Sequence, residues 1–328
     1  MDKNQKWIHC AIYLMAISLL SLYFTNMHLK FCNEARRATL SSLLGNSADL
    51  PFQYRVLVPW IINFIINLNL PYFSSPKHIL KLIEYISTLF LFIAFRTYIS
   101  FFINNELRSS FYSLSLFFIL PYQYIFYSWS FGAIYYPYDI PSVFFFTLGL
   151  ILIYRKNWFM YYPVFILATF NRETTIFLTF VYWATTIEKN RIIPVFYHAI
   201  LQVIIWLLIK KYLAVLYTNN PGPGYFINFF HVNWEMITNP VNAIRIGSNF
   251  CFIWIAVISH FKLITDMFIK RSLIVIFPFL FGMFIVGNFL EMRIYGEMIP
   301  IVLSAFLVIM NNLFCPSHKK LGHTQNGK

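Results

Sequence analysis

Phe170-Asn171-Arg172-Glu173-Thr174-Thr175 is a polar step between two apolar runs, Phe159 to Phe170 before it and Thr174 to Ile187 after it. Away from the step both runs end in basic residues, Arg155 and Lys156 on one side, Lys189 and Arg191 on the other. Basic residues flanking apolar runs mark the cytoplasmic side of a membrane. Two cytoplasmic points this close in sequence allow two crossings only as a hairpin of half-length helices turning at Asn171 to Glu173, toward the outer leaflet. An Arg and a Glu side by side at membrane depth are costly unless they face a polar cavity, so the step reads as part of a functional site. The plainer alternative is a short loop capped by Asn171 and Thr174.

Composition points the same way. Hydrophobic residues make up 59% of the 328, charged residues 11%, and mean hydropathy is +0.62, more than the core of a soluble domain of this length requires. The expected fold class is all-α: a polytopic transmembrane helical bundle of about ten apolar segments, forming one membrane-embedded domain over 1–328. It has outer loops at 26–55 and 217–248, the first of them structured, and a cytoplasmic basic tail at 314–328. The formal net charge of +13 is spread in small clusters and makes no stripe. The basic residues therefore read as topology signals and contacts to membrane lipids, and nucleic acid is not an expected partner. Cys10, Cys32, Cys251 and Cys315 lie in four separate segments with no CxxC spacing, so neither a zinc site nor a disulfide framework is indicated.

The apolar runs follow in order. Trp7 to Thr25 is an uncleaved first span with a cytoplasmic N-terminus. Val56 to Leu70 is short and interrupted by Asn63, Asn67 and Asn69, whereas His78 to Ile103 is long enough to cross, its Lys81, Glu84 and Arg96 snorkelling toward its ends. Phe111 to Ser128 is broken by Pro121, and the aromatic stretch from Trp129 to Pro137 suits an interfacial belt. Asp139 opens the run Ile140 to Tyr154 and, with Pro141 behind it, also reads as a helix N-cap. Ile192 to Ile209 ends in Lys210-Lys211; Phe250 to His260, Leu273 to Leu290 and Ile301 to Leu313 complete the set, leaving both termini cytoplasmic. Between the outer stretch ending at Arg55 and an inner one at Asn104 this counts two runs where an odd number is needed. Either Val56 to Leu70 does not span, or Phe111 to Tyr135 is itself a hairpin.

In this topology Arg55, Asp139, Arg172, Glu173, Lys210, Lys211, Glu291, Arg293 and Glu297 all fall on the outer side. A bundle can gather them around one outer-facing cavity. Guanidinium groups hold a phosphate in a two-pronged grip while a carboxylate takes a proton from a hydroxyl; alternatively the carboxylates hold a divalent metal, Mg or Mn, that binds the phosphate. Internal salt bridges, Arg172 with Glu173 or Glu291 with Arg293, are the structural alternative.

Pro51-Phe52-Gln53-Tyr54-Arg55-Val56-Leu57-Val58-Pro59, Tyr138-Asp139-Ile140-Pro141, Asn171-Arg172-Glu173-Thr174, and Glu291-Met292-Arg293 with Glu297 and Pro300 resemble the spaced motifs of bacterial polytopic membrane proteins similar in layout to the GT-C glycosyltransferases. That resemblance implies an enzyme of the bacterial inner membrane, serving cell-envelope polysaccharide biosynthesis. It would move a sugar from a polyprenyl-phosphate-linked donor to a glycan or lipid-linked acceptor on the outer face. It implies a catalytic carboxylate in the first outer loop, Asp49 with Glu34 in reserve and Asp139 as a further candidate. Arg55, Arg172, Arg293, Lys210 and Lys211 would hold the phosphate, with Asn171, Glu173, Glu291 and Glu297 in support. The chain departs from better-known members in having no paired acidic residues in that loop and no large soluble C-terminal domain. Two rival readings are an O-antigen-type polymerase or ligase acting on lipid diphosphate-linked glycans, and a lipid or solute transporter.

Overall fold

The computed structural model describes residues 3–71, 73–126, 133–187 and 192–314. The start of the aromatic belt, the basic cluster at 188–191 and the tail beyond 314, with Cys315, lie outside the described residues. The molecule is predominantly helical. α1 (Lys3–Phe31) runs six residues further than the first apolar run, so the first loop begins at Cys32 and not at Asn26. Trp7, Ile12, Met15 and Leu19 of α1 are exposed on the outside of the bundle, a surface suited to lipid and not to water. The first loop is structured: β1 (Cys32–Glu34), α2 (Leu40–Leu44), and a 3₁₀ turn over Phe52–Tyr54. Thr39 caps α2 by accepting from the Ser42 N–H.

The parity left open by the sequence is closed by contacts along the helices. α3 (Leu57–Asn67) has eleven residues, about 16 Å of helix, too short to cross hydrocarbon. Asn63 donates to the Leu44 carbonyl at 3.0 Å, which keeps α3 beside the first loop. α4 (Pro76–Ser100) then starts at that same end and runs antiparallel to α1: Glu84 meets His28, and Tyr13 meets the Phe92 carbonyl. α5 (Glu106–Ser113), α6 (Leu116–Pro121) and a π-turn over Tyr122–Phe126 make one broken ascent, from Ser110 beside His9 to Tyr124 beside Cys32. Pro121 removes a backbone donor where that ascent changes pitch. The Phe111 to Tyr135 hairpin is therefore excluded; this segment goes up once and ends in β2 (Ala133–Tyr135), which pairs in parallel with β1, Cys32 opposite Ala133. The short sheet is the one departure from an all-α fold among the described residues.

α7 (Asp139–Tyr154) descends until Tyr154 stacks on Phe101. α8 (Trp158–Asn171) returns, and α9 (Phe177–Thr186) goes down again, with the break at Arg172 between them. α10 (Ile192–Leu216) climbs to place Tyr217 against Asn46. α11 (Phe230–Thr238) and α12 (Pro240–Gly247) occupy what reads in sequence as a polar loop, and α13 (Ile253–Ser259) follows a sharp bend. α14 (Met267–Ser272) and α15 (Ile276–Val286) form one ascending span; a 3₁₀ stretch (Met292–Met298) leads into α16 (Ile299–Phe314). Among the described residues five helical stretches are long and apolar enough to cross a membrane: Asn4–Phe31, Pro76–Ser100, Ile193–Leu216, Met267–Val286 and Met292–Phe314. A sixth is reached if the α12–α13 pair, bent by 74°, counts as one. The other apolar helices are shorter or broken, so among the described residues five or six stretches of spanning length stand where the apolar runs suggested about ten.

Candidate active site

The end of the bundle that carries the sheet also gathers the charged residues. α8 ends at Asn171 and Arg172 is extended (φ −160°, ψ 135°) before the 3₁₀ turn Glu173–Ile176 opens α9. One extended residue sends successive side chains in opposite directions. Arg172 turns inward, its Nη1 3.2 Å from Glu297 Oε1 and 3.7 Å from Asp139 Oδ1. Glu173 turns the other way and accepts from Arg55 twice, at 3.1 and 2.8 Å. The pairing of Arg172 with Glu173 does not form. Nor do Asn171 and Thr174 cap a loop: the Asn171 amide donates to the Tyr138 carbonyl at 3.0 Å, and the Thr174 hydroxyl to Glu297 at 2.5 Å.

Asp139 is fully buried in the first turn of α7, and Tyr138, not Asp139, precedes the helix as its cap. Its Oδ1 also lies 3.4 Å from Arg293 Nη1, and its Oδ2 accepts from the Tyr136 N–H at 3.3 Å. Arg293 reaches Glu291 as well, so that pair does form, and its guanidinium lies 4.0 Å from the centre of the Tyr136 ring. Asp139, Arg172, Arg293 and Glu297 thus form a buried network whose charges answer one another, the condition under which buried ions are tolerated. Gly296 is required beside it: a Cβ there would sit 1.9 Å from the Tyr124 hydroxyl.

In front of this network lies a cavity of about 780 Å³ bordered by Arg55, Arg172, Glu173, Lys210, Lys211, Glu291 and Arg293. Tyr136 joins them. Burial pushes its phenol up to about 12 against the pull of Arg293, so it is a neutral donor at physiological pH. The rest of the lining is largely apolar and includes Phe177, Leu207, Phe281 and Val286. Leu207 and Phe281 are largely exposed, so this apolar part of the lining is not sealed by neighbouring side chains. Tyr225, Phe226 and Phe229 close it from the end. Their loop is held by a turn at Pro221-Gly222, where the Leu50 N–H donates to the Pro221 carbonyl at 2.7 Å. Gly222 adopts φ +119° so close to Leu50 that no side chain fits.

The outer-side residues that sequence grouped together converge, with Asp139 and Glu297 behind the cavity and the rest on its wall. Asp49 and Glu34 do not border it. Asp49 faces solvent 3.9 Å from Arg37, and Glu34 accepts from the Leu40 N–H and the Tyr135 hydroxyl. Lys210-Lys211 does not end its helix, since α10 runs on to Leu216. Sequence reading missed Tyr136, Tyr138 and Trp206. Tyr138 accepts from Arg55 at 2.6 Å, and the Trp206 indole donates to the Glu173 carbonyl at 2.8 Å. Tyr136 read in sequence as part of an interfacial belt, and Tyr138 stood in the motif with Asp139 without a role of its own. Among the described residues no group of three or more His, Cys, Asp or Glu is placed to hold a metal ion; the carboxylates of the network are taken by guanidinium groups. Compared with protein-family models, with curated proteins and with solved structures, the chain finds no match in any of the three.

Proposed function

We propose that the chain is an integral-membrane glycosyltransferase of GT-C-like layout. It would take a sugar from a polyprenyl-phosphate-linked donor and transfer it to the hydroxyl of a glycan or lipid-linked acceptor. The supporting observation is the convergence of Arg55, Arg172, Glu173, Lys210, Glu291 and Arg293 on one cavity whose remaining lining is largely apolar and includes the exposed Leu207 and Phe281. A ligand with a charged head and a long apolar tail fits such a space; a fully soluble ligand makes no use of the apolar side. In this reading the shorter helices complete about ten passes through the bacterial inner membrane, with the termini cytoplasmic and the cavity at the outer leaflet.

The base is Glu291 in place of Asp49, Glu34 or Asp139. Asp139 is fully enclosed and held by two arginines. Glu291 lines the cavity with 23% of its side chain exposed, and its Oε1 meets only the Asn288 amide at a long 3.5 Å. The acceptor oxygen bonds to the anomeric carbon as its proton passes to Glu291. The carbon–oxygen bond to phosphate breaks, and the electron pair leaves with the lipid phosphate, whose charge the cavity cations stabilise. The network behind the cavity holds Arg172 and Arg293 in place.

The test is a reconstitution. Full-length protein in liposomes is given a polyprenyl-phosphate-linked hexose and a hydroxyl acceptor. Release of polyprenyl phosphate together with glycosylated acceptor is the expected result. Consumption of lipid diphosphate-linked glycan instead would move the assignment to the polymerase or ligase reading, and lipid translocation with no new bond would make the protein a transporter.

A further inference from the structure

The three arginines on the cavity wall are already answered from within the protein: Arg55 by Glu173, Arg172 by Asp139 and Glu297, and Arg293 by Asp139 and Glu291. Lys211 is exposed. Lys210 differs from all of these. It is only 9% exposed and borders the cavity, yet among the described residues it makes no hydrogen bond and no ion pair. Its contact of note is with an aromatic face, the ammonium lying 4.7 Å from the centre of the Tyr54 ring. Glu173 also acts on it electrostatically but is held by Arg55, so Lys210 keeps charge available for an anion that enters the cavity.

The wall around it is also polarised. On the α10 side Arg55 and Lys210 face one carboxylate, Glu173, whereas across the cavity Arg172 and Arg293 are outnumbered by Asp139, Glu291 and Glu297. A negative group entering this space is drawn toward α10 and repelled from Glu291. Leu207 lies three residues before Lys210, hence on the same helix face, and begins the apolar wall.

We propose that Lys210 is the anchor for the ligand's anion. That anion is a single phosphate group carrying an apolar tail, and the arginines form a fixed frame in place of its primary contacts. One cation without a direct ion pair matches a monophosphate and leaves the second charge of a diphosphate facing the carboxylate side. This assignment rests on the lipid-phosphate reading of the cavity and also gives the ligand a direction: phosphate at Lys210, tail along Leu207 and Phe281, reacting end toward Glu291.

Binding measurements on full-length protein in lipid nanodiscs test it, with three probes: a polyprenyl monophosphate, the corresponding diphosphate and the neutral polyprenol. The wild-type protein is expected to prefer the monophosphate to the polyprenol by about tenfold or more, the worth of one charge-assisted hydrogen bond, and to gain nothing from the diphosphate. Lys210→Met is expected to lose that preference while holding polyprenol as the wild type does, which also shows the variant is folded. Lys210→Arg is expected to restore part of it. If the wild type prefers the monophosphate and Lys210→Met does too, the anchor assignment is wrong and the lipid-phosphate reading survives. If the wild type shows no preference among the three probes, that reading falls and the anchor with it.

Discussion

Two sets of charges are buried in this bundle, and they differ in what lies beside them. His28 and Glu84 meet at 2.6 Å between α1 and α4, with 1% and 5% of their side chains exposed, and neither borders the cavity in front of the arginines. Aromatic rings enclose the pair instead: Phe24 stacks on His28, and Tyr124 and Tyr135 meet it edge-on. The Asp139, Arg172, Glu297 and Arg293 network is as deeply buried, yet two of its arginines reach the wall of a large cavity. A charge inside an apolar bundle is thus not sufficient to mark a site. The first set fastens two helices; the second presents charge to a space that a ligand can enter.

That contrast can be pressed hardest at Glu291, on the cavity side. Replacing it by Gln is expected to lower the transfer rate roughly 10²- to 10⁴-fold, the usual contribution of a general base, with protein level unchanged; a fully active variant would remove Glu291 from the chemistry. Next comes Arg172→Met, which leaves Asp139 and Glu297 short of a partner in a dry setting. It is expected to cost about 3–5 kcal/mol of stability, read as a lowered unfolding temperature and reduced yield in the membrane. Glu84→Leu attacks the enclosed pair: a loss of about 1–3 kcal/mol follows from the stranded His28, while transfer per folded molecule stays at the wild-type level. Lost activity at unchanged stability would erase the distinction between the two sets. The smallest effect belongs to Asp49→Asn. Its ion pair with Arg37 is long and open to solvent, so about 0–1 kcal/mol is at stake, and kinetic assays should show the variant fully active.

Much of this could be read from the residue order. Arg172, Asp139, Arg293 and Glu297 declare themselves because ionisable residues between apolar runs need a polar neighbourhood. Their partners do not. Arg172 and Glu173 are adjacent in sequence and read as a pair, but a single extended residue separates them into different networks. Glu84 reads as a snorkelling end residue because sequence cannot place His28 opposite it across two helices. Lys210-Lys211 reads as the end of an apolar run, on a side where the positive-inside rule does not expect a basic pair, whereas α10 runs on to Leu216 and Lys210 borders the cavity. Asp49 entered as a base from the resemblance and from its place in the first loop, and loop position does not say which way a side chain faces.

The step at Asn171 to Glu173 has a consequence for how the protein is made. A chain emerging from the ribosome releases Asp139 and Arg172 long before Arg293 and Glu297, the residues that complete their pairing. Until the final hairpin is inserted, the growing bundle must shelter a half-paired carboxylate and guanidinium. A fragment that stops before Glu291 never acquires the missing half, and its Asp139 and Arg172 stay half-paired.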